Sequence, residues 1–483
     1  MRALIVDDSK PVRSIVARTL RGLRFDCVEA ANGEEALAAL ESGGRPDLVT
    51  VNWHMPVMDG LELVRRLRAA GPHRDLPLLM ISTEHARDRV AEALSTGVDG
   101  YLAKPFTPAA LVRKLVELKV CSAADVAAAT RPIRVLVCDD SLTIRGILAA
   151  ALDAEPGIEV SGTAVNGRAC LEALARDLPD IVLLDVEMPV MDGLEALREI
   201  RRRHPQLPVL MFSSLTERGA KATVEALLAG ANDYVAKPAG LDPTAVKERI
   251  RTDVVSRIRA LAASGGGPAP APAEPSSPVV RRPPAFARRE PVRGVVVAVS
   301  TGGPTALAEV LPACAPGAPV PIVIVQHMPA FFTTQLAGSL TKLCGVRVVE
   351  ATDGMRLDRG TVVLAPGGRH LEIAGDAANP RARLTDASPE NSCRPAADVL
   401  FRSAARVWGG GTLGVVLTGM GRDGLAGSRA LVDAGGAVVA QDEFTSVVWG
   451  MPGEVVRAGL ADAVLPLGQI GTEISLRLTR RGG

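Results

Sequence analysis

Three apolar runs in the C-terminal part of the chain each lead to a residue able to do acyl chemistry. VVVAVSTGGPTAL places Ser300 where a β-branched run stops and two glycines and a proline begin. VPIVIVQHMP leads to His327, and LGVVLTGMGRDG leads to Asp423. A hydroxyl, an imidazole and a carboxylate are a nucleophile, its general base and the group that orients the base. Ser300 would attack a carbonyl carbon. His327 would take its proton and return it to the leaving group, while Asp423 would fix the imidazole tautomer. Glycines after Ser300 and around Asp423 would let backbone N–H groups approach an oxyanion. The same residues have plainer readings, with Ser300 as a helix N-cap and His327 as a structural histidine. His370, in the strand-like LAPGGRHLEI, is a rival base, and Asp353, Asp398 and Asp442 are rival acids. The G-x-S-x-G pattern is broken, because Ala298 stands two residues before Ser300. The chain order Ser, His, Asp is unfamiliar, but geometry rather than order defines a triad.

For the three groups to meet, their segments must be parallel strands whose carboxyl ends share one sheet edge. Val295–Val299, Pro321–Val325, Thr361–Ala365 and Gly414–Leu417 read as buried strands. Leu336–Leu340, Ala396–Ala405 and Gly424–Ala434 read as helices. This alternation predicts a Rossmann-like α/β domain over 292–483.

The N-terminal half repeats itself. ALIVDDSKPVRSIVARTL recurs as RVLVCDDSLTIRGILAAAL, and PDLVTVNWHMPVMDGLELVRRLR as PDIVLLDVEMPVMDGLEALREIR. LPLLMIST recurs as LPVLMFSS, and GVDGYLAKP as GANDYVAKP. The near-constant offset means a duplicated domain, over 1–121 and 132–263. Within the first copy Ala3–Val6, Leu48–Val51 and Leu78–Ile81 alternate with helical segments, which predicts a flavodoxin-like, doubly wound parallel sheet. In the second copy Asp139, Asp140, Asp185, Ser213 and Lys237 stand at strand ends. Three crowded carboxylates invite a hard cation such as Mg²⁺, and a lysine with a hydroxyl opposite suits a phosphoryl group. In the first copy Asp7, Asp8, Ser82, Tyr101 and Lys104 match, but Asn52 stands where the second copy has Asp185. An amide cannot form an acyl phosphate, so 1–121 reads as a pseudo-receiver kept for docking or dimerisation, or as a passive spacer. Residues 264–291 are rich in Pro, Gly and Ser and read as a flexible linker.

The second copy resembles a response-regulator receiver domain, and LLDVEMPVMDGLE with MFSSLTERGA is similar to the receiver of chemotaxis methylesterases. That resemblance implies that Asp185 accepts a phosphoryl group from a chemotaxis-type histidine kinase, with Mg²⁺ held by Asp139, Asp140 and Asp185. It further implies that Lys237 pairs with the phosphoryl oxygens, that Ser213 swings toward them, and that Tyr234 is the aromatic switch. AVSTGGPTAL, VIVQHMP, LAPGGRHLEI, CRPAADVLF, VVLTGMGRDG and VVWGMPGEVVRAGL resemble, in order, the catalytic domain of protein-glutamate methylesterases. The family's triad then falls on Ser300, His327 and Asp423, with Thr301 and the Met420 N–H beside the oxyanion. The resemblance implies hydrolysis of γ-glutamyl methyl esters on methyl-accepting chemotaxis receptors, deamidation of receptor glutamines, and no cofactor for the esterase itself. It also implies that the unphosphorylated receiver covers the catalytic cleft, with Asp185 as the gate.

Bulk composition excludes other classes. A net charge of +1 and 3% aromatic residues argue against a nucleic-acid partner. There is no apolar run of membrane-spanning length. The start MRALIVDDSK puts aspartates where a secretory signal needs its apolar core. Seven scattered cysteines without C-x-x-C spacing fit a reducing cytoplasm and offer no zinc motif.

Overall fold

The computed structural model describes residues 1–69, 73–84, 87–104, 106, 108–122, 131–214, 216–237, 248–263, 280–281 and 290–479. The chain divides into two compact units, Met1–Pro132 and Ile133–Gly483. The first is a single five-stranded parallel sheet. Its strands are β1 (Arg2–Val6), β2 (Asp26–Ala30), β3 (Leu48–Val51), β4 (Leu78–Ser82) and β5 (Gly100–Ala103), ordered β2-β1-β3-β4-β5. Apolar residues of β1, β3 and β4 are buried on both faces, as a parallel sheet covered by helices requires.

The second unit carries two more sheets. One repeats the first, with β6 (Ile133–Cys138), β7 (Ile158–Ala164), β8 (Ile181–Asp185), β9 (Val209–Ser213) and β10 (Asp233–Ala236) in the order β10-β9-β8-β6-β7. The other contains β11 (Val280–Arg281), β12 (Gly294–Val299), β13 (Ile322–Gln326), β14 (Val348–Glu350), β15 (Val362–Leu364), β18 (Thr412–Val416), β19 (Ala437–Gln441) and β20 (Ala463–Leu465). Its order is β11-β20-β19-β18-β12-β13-β15-β14, parallel except where β11 pairs with β20. A hairpin of β16 (His370–Gly375) and β17 (Pro380–Thr385) stands apart from it. The strand expected at Thr361–Ala365 is the shorter β15, and the segment at Gly414–Leu417 is β18, shifted toward the N-terminus.

Most of the predicted linker lies outside the described residues. Val280 and Arg281 depart from the linker reading, because they pair antiparallel with Val464 and Ala463 at the sheet edge. No described helix is long and apolar enough to cross a membrane.

The second unit is sewn together by apolar contacts. Helix Glu217–Leu228 lays Ala220, Val224 and Leu227 into the same buried cluster as Leu307, Val310 and Phe332 of the large-sheet domain. Tyr234, in β10, stacks on Phe332 with ring centroids 4.6 Å apart.

Candidate active site

β18, β12 and β13 are adjacent and parallel in the centre of the large sheet, so their carboxyl ends open onto one edge. Ser300 follows β12, His327 follows β13, and Asp423 lies in the loop after β18. The Ser300 N–H donates to the Thr418 carbonyl (3.0 Å), and its own carbonyl accepts from the Gly303 N–H and Gln326 Nε2, both at 2.9 Å. Gly302, left-handed at φ 77°, turns the chain into helix Gly303–Cys314. A Cβ on Gly419 would come within 2.7 Å of Ser300 Cβ, so the loop bearing Met420 closes on Ser300 only because position 419 has no side chain.

His327 Nε2 is 2.7 Å from Asp423 Oδ2. The Asp423 carboxylate also accepts from the Ala397 N–H (2.6 Å), the Asp398 N–H (3.0 Å), the Gly424 N–H (3.1 Å) and Asn391 Nδ2 (3.1 Å). Ala397 and Asp398 begin helix Ala397–Trp408, so the positive end of that helix faces the carboxylate. Burial pushes the Asp423 carboxyl up, but His327 and the two amides outweigh it and hold it below the ordinary range. For His327, burial pulls the imidazole down. Its hydrogen bonds to Asp423 and Cys393, with their charges, win and raise it to about 9. In this state the imidazolium must lose its proton before it can serve as a base.

The remaining nitrogen, Nδ1, is 3.6 Å from Cys393 Sγ. Among the described residues no hydrogen bond joins Ser300 Oγ to His327. The three predicted groups therefore converge by topology, and two of them are in contact. Thr301, buried beside Ser300, donates through Oγ1 to Asp233 Oδ2 of the preceding domain at 2.7 Å.

The rival residues have structural partners. His370 is fully buried, with Nδ1 accepting from the Ala396 N–H and Nε2 beside the Ser388 carbonyl, both at 3.1 Å. Asp398 accepts from the Gly427 N–H (2.6 Å) and Asn391 Nδ2 (2.9 Å). Burial and the neighbouring Asp423 charge push Asp398 up, although the Gly427 amide opposes them. Asp353 and Asp442 accept from the N–H groups of Leu384 and Thr445.

In the second receiver-like sheet Lys237 Nζ bridges Asp139 Oδ2 (2.8 Å) and Asp185 Oδ2 (2.7 Å). Asp139, Asp140 and Asp185 each offer an oxygen within 4.8 Å of the others. Asp185 Oδ2 is buried, and its only close cationic contact is the Lys237 ammonium at 2.7 Å among the described residues, without hydrogen-bond alignment. Three oxygen donors of this kind fit Mg²⁺. Burial pushes Asp185 up to about 6 against the pull of Lys237. For Lys237 burial is likewise opposed, and its ion pairs hold it above the usual lysine range. The Ser213 hydroxyl donates to the Ser214 and Gly219 carbonyls, both at 3.3 Å.

In the first sheet the corresponding groups are joined by hydrogen bonds. Lys104 Nζ reaches Asp7 Oδ2 (2.6 Å) and Asn52 Oδ1 (3.1 Å), while Asn52 Nδ2 donates to Asp8 Oδ1 (2.9 Å) and the His54 carbonyl (2.8 Å). The amide supplies both a donor and an acceptor to groups that would otherwise face a metal.

Sequence reasoning did not single out Gln326, Asn391, Cys393 or Asp233. Gln326 precedes His327 and was legible as a polar strand end. Cys393 and Asn391 lie on a loop whose position depends wholly on tertiary folding.

Residues 295–474 match the CheB methylesterase family, and residues 3–116 and 135–251 match the response regulator receiver domain. The chain is 50% identical to a protein-glutamate methylesterase/protein-glutamine glutaminase of Nocardioides sp., over 72% of this chain and 96% of that protein. It is 45% identical to protein-glutamate methylesterase/protein-glutamine glutaminase 2 of Caulobacter vibrioides, over 71% of this chain and 99% of that protein. The CheB methylesterase catalytic domain of Thermotoga maritima is 39% identical, with a TM-score of 0.38, over 38% of this chain and 98% of that one.

Proposed function

The chain belongs to the protein-glutamate methylesterase/protein-glutamine glutaminase family, and from that membership we propose that it hydrolyses γ-glutamyl methyl esters and deamidates glutamines on chemoreceptors. The observation that carries the proposal is the His327–Asp423 pair at 2.7 Å, at the sheet edge where Ser300 also ends a strand. Ser300 Oγ attacks the ester carbonyl carbon. Because Asp423 occupies Nε2, the proton passes to Nδ1 of neutral His327, which returns it to the departing methoxide as methanol leaves. Water then hydrolyses the Ser300 acyl ester by the same proton route. The Met420 N–H and Thr301 stand beside the developing oxyanion. Ser300 and His327 come into hydrogen-bond contact in the substrate complex, as catalytic pairs commonly tighten on binding. A glutamine carboxamide offers the same acyl carbon with ammonia as leaving group, and the esterase chemistry requires no cofactor.

Receiver domains in general use Mg²⁺ for phosphorylation. Here Asp139, Asp140 and Asp185 would hold it, and its charge would offset the crowding of the carboxylates. Asp185 accepts the phosphoryl group from a chemotaxis-type histidine kinase, Lys237 pairs with its oxygens, and Ser213 turns from Gly219 to join them. Tyr234 links this event to the esterase through its stack on Phe332. In the resting chain the receiver is held by two kinds of contact. Each large apolar side chain in the seam contributes about 1.5–3 kcal/mol. The Thr301–Asp233 hydrogen bond, to a carboxylate, contributes about 1.5–3 kcal/mol. The seam therefore supplies most of the adhesion, while the hydrogen bond ties down the hydroxyl next to Ser300. The proposed location is the cytoplasm, where kinase and receptor signalling domains meet.

Methanol release from methylated receptor membranes, measured with and without a small-molecule phosphodonor, tests this reading. Asp185→Asn is expected to remove the stimulation. Equal stimulation of variant and parent would refute the gate.

The Asn52 centre is proposed as a pseudo-receiver, serving in docking or dimerisation. Asn52→Asp in an Asp185→Asn background should gain about one phosphoryl group per chain from a phosphodonor, where Asp185→Asn alone gains none. A double variant that stays unlabelled would show that more than the acceptor has been lost.

A further inference from the structure

Cys393 is the cysteine that folding brings to the triad. We propose that Cys393 and His327 form a binding site for a thiophilic divalent cation, zinc foremost, and that occupancy shuts the esterase reversibly. The binding claim stands on geometry alone, while the inhibitory consequence rests on the esterase reading above.

Cys393 Sγ and His327 Nδ1 are 3.6 Å apart. Tetrahedral zinc with Zn–S of about 2.3 Å and Zn–N of about 2.0 Å holds its sulfur and nitrogen ligands about 3.5 Å apart. The two donors already have the separation of neighbouring ligands. Behind the imidazole, Asp423 accepts from Nε2 at 2.7 Å. A carboxylate in that position fixes the tautomer, leaves the Nδ1 lone pair outward and raises its basicity toward a metal. Asp423 is itself immobilised by backbone amides, so the orienting group does not have to be assembled on binding.

Cys393 is held as firmly. Glu390 and Cys393 exchange two backbone hydrogen bonds, of 3.1 and 2.9 Å, around a two-residue turn. Asn391 and Ser392, its central residues, are both left-handed at φ 52° and 63°. Non-glycine residues in that region carry strain, which persists only where the surroundings impose it. Here Asn391 Nδ2 reaches Asp398 and Asp423, and Glu390 is paired with Arg402. The strained turn thus delivers the thiol to the imidazole.

Among the described residues, donor atoms that could hold a metal gather in two places. The Asp139, Asp140 and Asp185 site is all oxygen and selects hard cations. The His327, Cys393 and Asp423 site offers sulfur and imidazole nitrogen and selects zinc-like ions. Cys121, Cys138, Cys170, Cys314 and Cys344 are buried, and Cys27 belongs to neither group.

On binding, the Cys393 thiol and the His327 imidazolium each release a proton to water, and metal–sulfur and metal–nitrogen bonds form. Water fills the remaining two positions, with no change of oxidation state. Nδ1 is the nitrogen that takes the Ser300 proton, so metal binding and general-base action exclude each other.

Cobalt(II) added to the full chain, with excess Mg²⁺ to saturate the receiver, provides the test. One equivalent should produce a near-ultraviolet sulfur-to-cobalt charge-transfer band, which an all-oxygen site cannot give. Zinc should displace it. The band should vanish in both Cys393→Ser and Cys393→Ala and persist in Cys27→Ser. Saturating zinc should lower methanol release at least tenfold, and a chelator should restore it. Absence of the band, or its survival in both Cys393 variants, would overturn the site. A normal band with methanol release indifferent to zinc would overturn the inhibition. A chain that releases no methanol under any condition would sink the esterase reading, while the cobalt band would still decide the site.

Discussion

Ser300→Ala lowers methanol release from methylated receptor membranes by about 10⁴-fold or more, the scale on which serine hydrolases lose activity without their nucleophile. The substitution is clean because, among the described residues, the Ser300 hydroxyl makes no hydrogen bond. The bonds that shape this turn run through its backbone, from its N–H to Thr418 and to its carbonyl from Gly303 and Gln326. Alanine keeps all of them, so the thermal midpoint should stay within about 2 °C, as for a change that leaves packing intact. What remains is slow attack by water, aided by the oxyanion donors and by substrate positioning. A rate within tenfold of the parent would mean that another group attacks the ester.

Asp423→Asn is expected to cost about 10³–10⁴-fold in kcat, with KM little changed, because it acts on the tautomer rather than on substrate binding. Asp423 accepts at every contact: from His327, from the amides of Ala397, Asp398 and Gly424, and from Asn391. An amide has one accepting end. If its oxygen stays with the backbone N–H groups, its NH₂ faces His327 Nε2, which must then accept. The imidazole proton moves to Nδ1, where it blocks the nitrogen that should receive the Ser300 proton. If the amide turns round, its NH₂ meets the N–H groups at the start of helix Ala397–Trp408, and the loop loses hydrogen bonds of about 1.5–3 kcal/mol each. Steady-state kinetics beside thermal denaturation separates these outcomes. A variant with parental kcat and unaltered stability would remove Asp423 from its proposed role.

The two expected losses differ in origin. Ser300 acts on the substrate, whereas Asp423 acts by choosing which imidazole nitrogen is free. That choice also makes Nδ1 available to Cys393, so the proposed metal site and the proposed base are alternative uses of one lone pair.

Much of this molecule is written locally. The repeat of aspartates, hydroxyl and lysine at strand ends marks two receiver sheets, because in each copy these polar residues stand at the ends of four short strands. Ser300, His327 and Asp423 were legible for the same reason: a parallel sheet brings the carboxyl ends of its strands to one edge whatever fills the core. The difference between the copies was also legible, since Asn52 interrupts an otherwise matching set. Other features had no local signal. The Thr301–Asp233 bond joins residues 68 apart in the chain, and nothing in either segment's periodicity encodes the docking of one domain on the other. Val280 and Arg281 sit in a tract whose composition argues against pairing, yet a free sheet edge at β20 accepts them. Cysteine spacing gave no hint of a metal site, because Cys393 and His327 are 66 residues apart and meet only through a strained loop. Sequence alone therefore determined which groups end the strands, since side-chain alternation and sheet topology are local rules. Tertiary structure decided which nitrogen of His327 is free and what stands beside it, because those contacts depend on loops whose paths only long-range packing defines.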